Sequence, residues 1–132
     1  MFKSIQPFYH SVIQSLNMEN WQLDFEWLQA RHKVKDTMGL ERLPDLNGIL
    51  FLIGIQEYGL HKKDFTKEEK QDLMHIAVCQ LLSEEGYFEF EGRDADGWPH
   101  YKSLRPLNIE GVAAQEQLLK EKVINYFKEN EI

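Results

Sequence analysis

Apolar positions recur along this chain at helical spacing in several stretches and at strand spacing in one. Ile5, Phe8, Tyr9, Val12, Ile13 and Leu16 fall at i, i+3, i+4, i+7, i+8 and i+11, one face of an α-helix capped by Ser4. Pro7 lies in the first turn, where its missing N–H removes no intrahelical bond, and the polar run Asn17 to Asn20 ends the helix. From Trp21 the pattern is double. Trp21, Leu23, Phe25 and Trp27 alternate like a half-buried strand, yet Trp21, Phe25 and Leu28 share a helical face. The good helix formers through Asp36, with no turn signal before Gly39, favour helix.

Leu43-Pro44-Asp45 reads as a helix entry, because Pro44 pushes Leu43 to an extended conformation and Asp45 can accept from first-turn N–H groups. The helix that follows is apolar all round from Ile49 to Ile55, which predicts burial between other elements, and Gly59 marks its end. Thr66 with Glu69 three residues on fits a capping box and opens a long helix to about Glu85, whose middle, Leu73 to Leu82, is apolar around most of its circumference. Gly86 stops it. Tyr87 to Glu91 then alternates apolar and polar before the turn-rich Gly92 to Gly97, and Trp98 to Leu104 is the second strand of a hairpin, with Pro99 demanding an edge position or a bulge. After Pro106, Asn108 caps a last helix carrying the stripe Ile109, Val112, Ala113, Leu119, Val123, Tyr126 and Phe127, with Glu116 and Lys120 paired at i, i+4. The predicted fold is mainly α: one domain over residues 1–132, a compact bundle of about five helices with one small β-hairpin at about 87–104, and the Ile49 and Leu73 segments central.

Composition narrows the function classes. With 42% hydrophobic and 12% aromatic residues the chain has enough apolar material for a core, and its longest apolar run is far short of the roughly 20 residues needed to span a bilayer. A net charge of −7 repels phosphate backbones, so nucleic acid is not an expected partner. A single cysteine, Cys79, cannot form an internal disulfide, and Met1 to Pro7 lacks the apolar region of a secretion signal, so the expected setting is cytoplasmic.

Three constellations can carry chemistry. Asp72, His75 and Cys79, at i, i+3 and i+7, share one face of the long helix. They suit part of a metal site, or a thiolate generated by His75, and equally an ordinary helix pair beside a small core residue. Glu57 with His61 is a second metal pair only if the helix continues past Gly59, and the chain lacks the repeated Glu-x-x-His motifs of a di-iron bundle. At the hairpin tip, Asp94-Ala95-Asp96-Gly97 begins like a calcium loop without the later oxygens such a loop requires, and reads as a turn in which Asp94 and Asp96 bond their own backbone. Trp98, His100 and Tyr101 beside it are residue types from which binding surfaces are built. Arg31, His32, Lys35 and Asp36 form a charged patch that reads as a solvated face.

Two resemblances bear on these patterns. Leu81 to Gly92, followed by Tyr101 to Leu104 and a terminal helix, resembles the passage from recognition helix to wing in winged-helix transcription factors, which implies DNA binding. The helix concerned carries only Lys67 and Lys70 against Glu68, Glu69, Asp72, Glu84 and Glu85, the wrong sign for reading DNA. Over most of its length, through Leu43 to Asn47, Phe51 to Glu57, Lys70 to Ala77 and Asp96 to His100, the chain looks like a family of small uncharacterised bacterial proteins. That likeness implies a bacterial, cytosolic origin and supplies no activity.

The leading expectation is a non-enzymatic interaction domain that binds a protein partner or itself, as a homodimer, with no cofactor. Its candidate binding residues are Asp72, His75, Cys79, Trp98, His100 and Tyr101. The alternatives are a metal protein or enzyme centred on Asp72, His75 and Cys79, and a winged-helix-like DNA-binding protein.

Overall fold

Asp45 and Thr66 start the two central helices in the way their positions predict. In the computed structural model, which describes residues 18–59 and 64–130, the Asp45 side chain accepts from the Gly48 N–H at 2.8 Å and opens a helix over Leu46–Tyr58. Thr66 and Glu69 form both halves of a capping box and open a helix over Lys67–Ser83. In chain order the elements are α1 (Met18–Met38), α2 (Leu46–Tyr58), α3 (Lys67–Ser83), β1 (Phe88–Arg93), β2 (Pro99–Ser103) and α4 (Val112–Asn130). The chain is therefore mainly helical with a two-stranded antiparallel hairpin.

Four helices are described where about five are expected, because the predicted helix at residues 4–16 lies outside the described residues. Residues 21–27 are helical throughout. The helix is described from Met18, so Met18 to Asn20, expected in the polar run between two helices, are helical. Asn108 does not cap the last helix. The backbone stays irregular through Glu110 and leaves the helical region at Gly111, with φ of 89°, so α4 starts at Val112. Val112 and Ala113, expected on the apolar stripe of the last helix, are exposed.

The hairpin matches its predicted position. Phe88 pairs with Ser103 and Arg93 with Pro99, and the register slips by one residue between Phe90 and Gly92, a bulge that places Pro99 at the first position of its strand. The turn closes on Gly97, with φ of 86°.

An apolar cluster joins the helices: Trp27 and Val34 from α1, Ile49, Leu50 and Ile53 from α2, Ala77 and Leu81 from α3, and Val123, Ile124, Tyr126 and Phe127 from α4. Burial of this surface is the main favourable term holding the fold together. The α2 and α3 helices share the most extensive helix–helix interface, and α3 also touches α4 and both strands, as a central element must. The expectation that α2 is buried all round is met in part. Ile49, Leu50, Ile53 and Gly54 are buried, whereas Phe51, Leu52 and Ile55 remain partly open, since no described element covers the whole of the side turned from α3 and the core. No described helix is long and apolar enough to cross a membrane.

Candidate functional site

The face of α3 that carries Asp72, His75 and Cys79 lies under the hairpin. Tyr87 brings the chain back against the end of α3: its N–H donates to the Leu82 carbonyl and its carbonyl accepts from Leu104. The guanidinium of Arg105 stacks 3.8 Å from the Tyr87 ring centroid and donates to the Glu85 carbonyl. Across the cleft Tyr101 Oη donates to Gln80 Oε1 at 2.9 Å, which ties β2 to α3 one residue beyond Cys79. The result is a cleft of about 350 Å³. All six candidate residues line it: Asp72, His75 and Cys79 from the helix, and Trp98, His100 and Tyr101 from the hairpin. Two groups separated by some twenty residues in sequence thus share one wall-to-wall site.

The floor is apolar and the rim polar. Ile76, Cys79 and Pro99 are buried, Trp98 and Tyr101 are partly buried, and Asp72, His75, Asp94 and His100 are exposed. Cys79 is 1% exposed. Its Sγ lies 3.5 Å from His75 Nε2, close enough for the pair the sequence suggests, but burial pushes the thiol up to about 11. At neutral pH it is therefore a protonated thiol, and thiolate chemistry does not follow from this geometry. The His75 ring also meets Phe88 edge-on, with centroids 6.4 Å apart. Among the described residues no three His, Cys, Asp or Glu side chains are arranged to hold a metal ion, so sharing a helix face does not make Asp72, His75 and Cys79 a ligand set. His61 of the other proposed pair lies outside the described residues, and Glu57 instead accepts a hydrogen bond from Tyr126 Oη at 2.9 Å.

The residue that sequence reasoning undervalued is Asp94. Its Oδ1 accepts from the N–H groups of Asp96 at 2.9 Å and Trp98 at 3.0 Å, as the predicted turn requires, while its Oδ2 pairs with His100 Nε2 at 2.8 Å. His100 and these backbone donors hold the Asp94 carboxyl below the usual carboxylate range. The signal was present in the sequence, since a turn over Asp94 to Gly97 brings the residues flanking it within reach of each other. Asp72, by contrast, has no hydrogen-bond or ion-pair partner among the described residues. The Tyr101 hydroxyl is pushed up, first by burial and then by the nearby Glu57 and Cys79.

The hairpin tip is locked to α2. Tyr58 and Trp98 rings lie 4.4 Å apart, Tyr58 Oη donates to the Asp96 carbonyl, and Arg93 donates to the carbonyls of Glu57, Tyr58 and Gly97 at 2.6 to 2.9 Å. The Trp98 side of the cleft is consequently fixed from behind. In the charged patch of α1, Arg31 Nε donates to the Pro44 carbonyl at 2.7 Å, a structural tie to the segment entering α2. The exposed positions at the start of α3 include Glu68 and Asp72 beside Lys67 and Lys70. No protein-family model, curated protein or solved structure matches the chain.

Proposed function

We propose that this protein is a non-enzymatic interaction domain whose cleft between α3 and the hairpin grips a positively charged side chain of a protein partner. The observation that carries the reading is the lining of that cleft: two carboxylates, Asp72 and Asp94, above an aromatic wall of Trp98 and Tyr101, with no lysine or arginine among the lining residues. Asp94 is kept ionised by His100, and Asp72 has no described partner to satisfy it. A guanidinium or ammonium entering the cleft gains charge-assisted hydrogen bonds from the carboxylates and an attractive aromatic face. The volume falls within the range of small-ligand sites, enough for one long side chain. A net charge of −7 favours the approach of a cationic partner and disfavours nucleic acid. The protonated state of Cys79 removes the main support for a nucleophilic enzyme, and one buried free thiol suits a reducing, cytosolic setting.

The test is an NMR titration of the full chain with N-acetyl-arginine methylamide, following the Trp98 indole N–H and the ring resonances of His75 and His100. Saturable shifts at these three residues are expected, weakened several-fold by Asp72→Asn. N-acetyl-glutamate methylamide at the same ionic strength is expected to leave them in place. Equal responses to both probes, or none to either, sink the proposal.

A further inference from the structure

Helix α1 has two apolar faces, and only one is used by the core. Leu23, Trp27, Ala30 and Val34, at i, i+4, i+7 and i+11, belong to the core cluster or pack against it. Trp21, Phe25 and Leu28 occupy the other side of the helix and are 63%, 49% and 43% exposed. The Trp21 and Phe25 rings stack on each other, with centroids 5.8 Å apart and planes 14° from parallel. Single exposed apolar residues need no explanation, but three adjacent large ones form a patch of the kind that marks an interface.

The geometry points to a second copy of this chain as the occupant, with α1 packed antiparallel against its twin about a two-fold axis. The argument lies in the spacing. Trp21, Phe25, Leu28 and the exposed His32 step by four, three and four residues, which is the d-a-d-a seam of a coiled coil. On that assignment Asp24 and Arg31 both fall at g positions and Gln22 and Gln29 both at e positions. An antiparallel pair brings g against g and e against e. With the axis midway between Phe25 and Leu28, Phe25 meets the other copy's leucine, Trp21 meets its histidine, Asp24 meets its arginine, and the glutamines meet each other. Each contact occurs twice, as two-fold symmetry requires. A parallel pair instead opposes His32 to its own copy and sets Asp24 against the neutral Gln29, leaving only Arg31 with a carboxylate, that of Asp36. Arg31 spends its Nε on Pro44, which leaves the two terminal nitrogens of the guanidinium for the carboxylate. The contact spans less than four helical turns, so a dimer dissociating at roughly 10 to 100 μM is expected.

Sedimentation velocity of the full chain between about 5 and 500 μM tests this. The unmodified protein is expected to shift from monomer to dimer across that range. Phe25→Glu, at a position the core does not use, is expected to stay monomeric at every concentration with an unchanged helical circular dichroism spectrum and melting temperature. Asp24→Arg is expected to weaken dimerisation at least ten-fold by setting arginine against arginine, and adding Arg31→Glu to it is expected to restore most of the loss. A monomer at 500 μM, or a dimer indifferent to Phe25→Glu, overturns the inference. So does a chain that dimerises only after residues 2–17 are deleted, since that result assigns the patch to the chain's own beginning.

Discussion

Gly54 shows how much a single hydrogen decides. At this point α2 crosses α3 so closely that a Cβ built on Gly54 would stand 2.6 Å from the Leu73 carbonyl carbon, with its carbonyl oxygen nearer still. The obstacle is backbone, which has no rotamer to yield. Gly54→Ala therefore forces the two central helices apart or tilts them, and a cost of about 3 kcal/mol or more is expected from overpacking. A urea unfolding curve with its midpoint within error of the unmodified protein would contradict the crossing. By contrast Gly48→Ala meets only side-chain atoms, Asp45 Oδ1 at 3.3 Å and Pro44 Cβ at 3.5 Å, so a much smaller effect is expected there. The sequence carried this signal: one glycine inside an otherwise apolar helical run costs about 1 kcal/mol of helix propensity relative to alanine, which is tolerated most readily where only a hydrogen fits.

Among the elements, the hairpin depends on α2 as much as on its own strand pairing. Arg93 lies at the end of β1 and donates to the carbonyls of Glu57 and Tyr58, the last two residues of α2. These are carbonyls that an α-helix leaves without internal partners, and a cation there also opposes the helix dipole. Because the same guanidinium holds the Gly97 carbonyl, it fixes the turn as well as the strand. Arg93→Gln is expected to raise hydrogen-exchange rates of the β1 and β2 amides well above those of α2 and α3, with a loss of about 1 kcal/mol in global stability. Arg93→Lys restores only part of this, since an ammonium lacks the planar fork that spans three carbonyls. Uniform exchange changes across the molecule would refute the latch. Element boundaries were legible where a side chain caps the element, as at Asp45 and Thr66, or where a glycine takes the left-handed turn that ends it, as at Gly59, whose N–H donates to the Ile55 carbonyl. They were illegible where packing overrides local preference. Asn20 lies inside α1 despite its turn propensity, and Asn108 caps nothing because the chain turns into α4 three residues later.

At the scale of the whole molecule, periodicity assigned Asp72, His75 and Cys79 to one helix face and the alternation after Gly86 assigned Trp98, His100 and Tyr101 to a hairpin, but neither pattern encodes the angle between helix and hairpin. That angle is set by contacts between distant residues: Tyr87 and Arg105 at the base, Tyr101 with Gln80 at mid-height, and Tyr58 with Trp98 at the tip. Asp94 belongs to both levels, since it shapes the turn with one oxygen and faces His100 with the other. The two roles are separable. Asp94→Asn retains an oxygen to accept from the Asp96 and Trp98 N–H groups, so the turn persists, but it loses the charge that a cation in the cleft would feel. Asp94→Ala loses both. Asn is therefore expected to weaken arginine-probe binding several-fold and to lower the melting temperature only by what the charged pair with His100 contributes, while Ala, which also loses the turn, is expected to lower the melting temperature further. The pH dependence follows the same logic. A carboxyl whose folded value lies below its unfolded one stabilises the fold above the unfolded value and ceases to do so as pH falls through the folded one. The unmodified protein should thus lose stability below about pH 4 more steeply than Asp94→Asn does, as read from urea midpoints between pH 7 and pH 2.5. Parallel acid limbs in the two proteins would mean that the Asp94–His100 pair contributes nothing to the stability of the folded state.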